Sequence, residues 1–159
     1  MSLEQIHRDE WGRLLALLVA HSRRLDLAED ALAEAFEQAA RVWPGDGTPT
    51  NPAGWLMTTA KRRITDRIRA EAMVARKQPL LAIDERNRVQ DNDSGDELLR
   101  LVLLAAHPAL APEAGAALTL RLVLGVPTGD IAKLFLVSEP TMAARLTRAR
   151  KKVVAAGIP

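Results

Sequence analysis

An all-α fold of two small helical domains is what this sequence predicts, and three observations predict it. Aromatic residues make up only 3% of the 159 positions and Tyr is absent, so a strand-rich core would lack its usual material. Apolar residues recur three and four positions apart in one segment after another. Between those segments stand Asn, Ser, Thr, Gly and Pro, where they start and stop helices. At 48% hydrophobic and 26% charged, the chain is not a low-hydrophobicity disordered one. No apolar run approaches the roughly 20 residues of a membrane span. The opening Met1-Ser2-Leu3-Glu4-Gln5 lacks a signal pattern, so a cytoplasmic protein is expected, with no membrane partner. Without Cys, disulfides, thiolate catalysis and Cys-ligated zinc are excluded.

The first helix spans 4–22, with Trp11, Leu14, Leu15, Leu18 and Val19 as its core stripe. Asp26 with Glu29 reads as a capping box opening a second helix to about Val42. Its apolar face is Leu27, Ala28, Ala31, Leu32, Ala35, Phe36 and Ala39; Asp30, Glu34, Glu37, Gln38 and Arg41 lie opposite. Breakers in Trp43-Pro44-Gly45-Asp46-Gly47-Thr48-Pro49-Thr50 predict a loop. Asn51 as N-cap and Pro52 at the first helical position then start a third helix, burying Leu56, Ala60, Ile64 and Ile68.

Residues 78–95 carry no sustained apolar period and end in Asn, Asp, Ser and Gly, so they read as a linker. The chain thus divides into 1–77, the linker 78–95, and 96–159. Parts this small bury only roughly 60% of their unfolded surface, so docking onto something larger would help each. In the second part, Glu113 to Leu124 is expected as a helix closed by Gly125. Thr128 is expected to cap a short helix holding Ile131, Ala132, Leu134 and Phe135. After Leu136-Val137, Ser138 caps the last helix, which turns Met142, Leu146, Ala149 and Val153 inward and Thr141, Arg145, Arg148 and Lys152 outward. A short helix, a tight turn and a longer basic helix are the outline of a helix-turn-helix, shared by any αα-hairpin.

Charge falls in blocks. Between Asp26 and Ala40 every charged residue is acidic, whereas Lys61 to Lys77 is strongly basic, and Arg145 to Lys152 holds no acid. One such block is ordinarily a solvated face. The acid-only stripe, however, has almost no bases on its own helix to pair with, which suggests a basic partner. Lys61, Arg62, Arg63, Arg67 and Arg69 lie within nine residues beside a Trp-bearing loop, as a surface tracking a nucleic-acid backbone would. No catalytic, cofactor or metal site is expected. His7, His21 and His107 are far apart and belong to no ligand pattern, which argues against a metal-dependent enzyme.

Two sets of motifs, in order, then resemble a family. Ala28-Glu29-Asp30-Ala31-Leu32-Ala33-Glu34-Ala35-Phe36, Asn51-Pro52-Ala53-Gly54-Trp55-Leu56 and Lys61-Arg62-Arg63-Ile64-Thr65-Asp66-Arg67 resemble region 2 of an extracytoplasmic-function (ECF, group IV) bacterial sigma factor. Ala117-Leu118-Thr119-Leu120-Arg121-Leu122, Asp130-Ile131-Ala132 and the run from Ser138 to Arg150 resemble its region 4. The resemblance implies a transcription-initiation factor, not an enzyme, that brings core RNA polymerase (β′ clamp and β flap) to promoter DNA. It implies that Asp30, Glu34, Glu37 and Gln38 dock on the β′ coiled coil. Trp43, Asp46, Thr50 and Asn51 would capture a flipped −10 base, and Lys61, Arg62, Arg63 and Arg67 would hold the melted strand. Ser138, Glu139, Thr141, Arg145, Arg148 and Lys152 would meet the −35 major groove.

His107-Pro108-Ala109-Leu110-Ala111-Pro112 is similar to a subgroup that commonly continues into a long helical C-terminal extension and carries cysteines where this chain has Ala105-Ala106. Ending at Pro159, the chain departs from that pattern, and either such an extension or an anti-sigma protein is implied as regulator. Ala143 and Ala144 stand where many relatives are polar. The alternative reading is a stand-alone helix-turn-helix repressor, which would bind its operator without polymerase. One further expectation concerns Leu98 to Ala106, apolar around its whole circumference and so buried on more than one side. Its second face is expected against the N-terminal part, an extension or another copy.

Overall fold

The computed structural model describes residues 1–75 and 94–156, and every regular element among them is helical. In order these are α1 (Leu3–Ser22), α2 (Leu25–Asp46), α3 (Pro52–Ala75), α4 (Ser94–Ala105), α5 (Pro112–Leu122), α6 (Thr128–Leu134) and α7 (Glu139–Ala155). The all-α expectation holds. The predicted linker falls outside the described residues except at Ser94 and Gly95, which open α4.

α1, α2 and α3 pack into a bundle. Ala28, Ala31, Ala35 and Ala39 are fully buried on α2, as is Ala60 on α3, so small side chains let these backbones approach closely. Leu14, Leu15 and Leu18 of α1, Leu32 of α2, and Leu56 and Ile64 of α3 fill the space between. α1 begins with a capping box: Ser2 Oγ accepts from the Gln5 N–H, and the Gln5 side chain returns to the Ser2 N–H.

Four boundaries differ from expectation. Asp26 is not the cap of α2: Arg24 holds that position without a side-chain bond, and Ser22 Oγ accepts its N–H at 3.2 Å. Leu25 is 2% exposed, so burying it draws the helix start back by a residue. At its other end α2 runs through Pro44 to Asp46. A proline withdraws one N–H, here from the carbonyl of exposed Ala40, which water can satisfy. Buried Trp43 packs edge-on to Trp55 at 5.3 Å and holds that turn. The loop is therefore only 47–51, beginning at Gly47 with φ +88°. In the second part Thr128 is the first residue of α6, after Pro127, and α5 ends at Leu122.

α4 packs on both α1 and α5. Leu101, Leu104 and Ala105 are buried, while Leu99 and Leu103 face outward. Of the three surfaces open to its second face, the N-terminal part is the one it meets. The core accordingly runs unbroken from α1–α3 into α4–α7. α6 and α7 form the helix-turn-helix, with Leu136 at φ +56° in its turn. Met142, Leu146, Ala149 and Val153 point inward from α7, as their spacing requires.

Candidate nucleic-acid interface

Asn51 sets the start of α3, its Oδ1 accepting the Gly54 N–H at 3.0 Å. Because that cap holds the loop end, Asp46, Thr50 and Asn51 all stand exposed at one end of the bundle. Trp43 does not join them. Its ring is 7% exposed and packed on Trp55, so it supports the loop from inside instead of offering a face to a base.

On α3, Arg62 is exposed, and Lys61, Arg63 and Arg67 are half-buried. Arg67 bonds Glu34 and lies 3.4 Å from Asp30; Arg63 reaches Glu34 at 3.8 Å and donates to Gln38 Oε1 at 3.2 Å. The acidic stripe, with almost no bases on its own helix and expected to meet a basic partner outside the chain, finds bases on the neighbouring helix, where sequence spacing along α2 could not reveal them. These pairs are partly solvated, so each contributes only about 0–1 kcal/mol and exchanges readily for another partner. Glu37 is exposed on the same face.

α7 projects its polar residues from a well-capped end. Ser138 Oγ accepts the Thr141 N–H at 3.3 Å and lies 2.7 Å from the Thr141 hydroxyl. Ser138, Glu139, Thr141, Arg145, Arg148 and Lys152 are all exposed, and the apolar residues of α7 face the opposite way. Such a helix, with a polar N-terminal end and cations along one face, suits a major groove. If Arg145 reads a base, Arg145→Ala is expected to cost about 1–3 kcal/mol on its preferred duplex and to relax base preference. Lys152→Ala should weaken all duplexes alike and lower the salt slope by about one. Competition binding across salt concentrations checks both, and a change of sequence preference from Lys152 instead would reverse the assignment.

Residues that sequence reasoning missed join the two parts. Glu29 is 6% exposed, and its Oε1 accepts from Arg121 Nε at 3.1 Å and from Arg150 Nη2 at 2.6 Å. A signal existed: Glu29 follows Leu25 by four and precedes Leu32 by three, a core position on α2, not a capping one. Arg150 likewise follows Leu146 by four, and Arg121 follows Ala117 by four.

Two histidines tie the packing to pH. His7 lies between Trp11 (ring centroids 4.9 Å apart) and Phe36 (4.8 Å). Burial, then the nearby Arg121 charge, hold it below the ordinary value of 6.5. Burial, then Lys61, lower His21 in the same direction. Both favour the neutral ring in the fold, so their contribution is complete above pH 6.5 and is lost as pH falls toward their folded values. The melting temperature is expected to drop between pH 7 and pH 5, less steeply in His7→Gln; a slope unchanged by that substitution would remove His7 from the account.

Residues 8–73 match the family described as Sigma-70 region 2, and residues 100–153 match that described as Sigma-70, region 4. A curated relative, the uncharacterized protein R00370 of Rhizobium meliloti (strain 1021), is 37% identical over 153 residues, covering 91% of this chain and 36% of the relative. The chain thus spans about a third of that relative's length. No solved structure matches.

Proposed function

The chain belongs to the sigma-70 family, and from that premise we propose that it works as an ECF-type sigma factor, binding core RNA polymerase and directing promoter recognition and melting. The observation that carries this reading is the presence of both region 2 and region 4 in one chain. A repressor would need only the helix-turn-helix.

Residues 1–77 form the region 2 domain and 96–159 the region 4 domain in this proposal, with Ser94 and Gly95 assigned to α4. Asp30, Glu34, Glu37 and Gln38 dock on the β′ clamp. Asp46, Thr50 and Asn51 receive an unstacked −10 base, whose extrusion costs a few kcal/mol and exposes its pairing edge. Lys61, Arg62, Arg63 and Arg67 hold the backbone of the opened strand and supply the salt-dependent part of the affinity. Ser138, Glu139, Thr141, Arg145, Arg148 and Lys152 read the −35 duplex, where an arginine bonds guanine O6 and N7 together. The β flap supports region 4, an anti-sigma protein or a C-terminal extension regulates the factor, and the cytoplasm is its place of work. On this reading the chain performs no chemistry of its own.

Run-off transcription on genomic fragments, with core polymerase and with or without this protein, tests the proposal. Discrete protein-dependent transcripts are expected. Tight operator binding without core, and no transcripts with it, would replace the reading with the repressor.

A further inference from the structure

The acids of α2 hold Arg63 and Arg67, and Glu29 holds Arg121 and Arg150. Arg145, Arg148 and Lys152 are placed differently. They stand three and four positions apart along one edge of α7, and among the described residues none of them meets an acid in an ion pair. Beside that edge, α5 and α7 do not close fully on each other. A cavity of about 240 Å³ lies between them, and the same three cations form its rim.

The gap follows from side-chain size. Ala111, Ala114 and Ala117, at and after the start of α5, line it together with Ala149 of α7. Their methyl groups are too small to fill the space that Leu or Ile would occupy. The floor is Leu110, Phe135, Met142 and Leu146. Met142 and Leu146 are core residues, 1% and 2% exposed, so the floor is apolar. Glu113 is the acid of the lining, and the rim is otherwise positive. A water held firmly needs about two to four polar partners, which such a floor does not offer. An apolar group that displaces loosely held water gains affinity.

We propose that this cavity binds a medium-chain fatty carboxylate, with the alkyl chain on the apolar floor and the head group held by Arg145, Arg148 and Lys152. Chemistry selects that class. Arginine forks meet a carboxylate through two parallel hydrogen bonds, whereas the rim repels an ammonium head. At roughly 30 Å³ per water-sized group, the space takes a chain of about eight carbons. It is smaller than the roughly 300–1,000 Å³ of pockets that hold drug-sized ligands, so a bulkier molecule does not fit. Met142, unbranched and adaptable, suits a flexible chain. The three cations are also those assigned to the −35 duplex. On the sigma-factor reading, an occupied cavity therefore weakens the grip of α7 on DNA; binding of the carboxylate itself needs no such reading.

Calorimetric titration of the full chain with octanoate tests the site. Saturable binding is expected, about tenfold tighter than hexanoate, because each buried methylene contributes about fourfold in affinity. Octylammonium binding as well as octanoate, or octanoate binding no tighter than acetate, would overturn the proposal. Ala114→Leu fills the cavity from a half-buried position on α5, apart from the proposed DNA residues. It is expected to weaken octanoate by about tenfold or more with helicity retained; unchanged affinity would place the ligand elsewhere and overturn the assignment. If that variant loses its helicity, Arg148→Gln, at an exposed position, takes its place with the same loss expected. A parent that sediments as a dimer, with Ala114→Leu a monomer, would show a second copy in the cavity and overturn the proposal. Octanoate is further expected to release a labelled duplex, taken from a fragment that gives transcripts, and to release it less from Ala114→Leu. Equal release from both chains, or none, would overturn the link to DNA. If no fragment gives transcripts, the sigma-factor reading falls, and the titration by itself decides the cavity.

Discussion

Reversing Asp30 and Glu37 together to Arg is expected to cut co-purification with core polymerase by about tenfold or more, with helicity unchanged. Like charges placed across an interface cost several kcal/mol, and each 1.4 kcal/mol is about a factor of ten. The choice of pair follows from the packing. Asp30 is 68% exposed at its side chain and Glu37 is exposed, so neither supports the core. Glu34 is left in place because it holds both Arg63 and Arg67, and reversing it would repel two cations on α3. Pull-down at two salt concentrations measures the effect. Unchanged binding would move the polymerase surface off α2.

Trp11→Ala is expected to be the most damaging single truncation, destabilising the chain by about 3–5 kcal/mol. The ring is 1% exposed and meets elements from both parts: His7 beside it on α1, Phe36 of α2 at 5.9 Å, Arg121 of α5, and the turn at Gly125. Removing it opens a cavity, uncovers His7 and takes away the surface on which Arg121 lies. Leu136→Ala is the control: that side chain is 92% exposed, and the change should stay within about 0.5 kcal/mol. Denaturant unfolding with both variants checks the contrast. Near-equal losses would show that Trp11 does not hold the two parts together.

Most of the local structure was legible in the sequence because it depends on neighbours three or four positions away. Asn51 and Ser138 cap the helices they were expected to cap, each with a hydrogen bond to the residue three positions on. The inward stripe of α7 follows from period alone, and so do the core leucines of α1. The family, too, could be recognised from motifs that lie within single helices. Helix ends were less legible where packing outweighed the local signal. Pro44 stays helical because Trp43 is anchored on Trp55 twelve residues away, and the start of α2 moves to bury Leu25.

What the amino-acid order determined by itself was which residues form helices, which face of each is apolar, and where cations and acids accumulate along the chain. Only the tertiary structure decided how those charges are used. Along α2 the acids have almost no bases to pair with; in the fold, Arg63 and Arg67 of α3 pair with Asp30 and Glu34. Glu29 looked like half of a capping box; in the fold it is a buried anion shared by Arg121 and Arg150, 92 and 121 positions away. Periodicity is a property of one helix, and reports what lies three or four residues off. Charge compensation is a property of distance in space, which a chain sets only once its helices have packed.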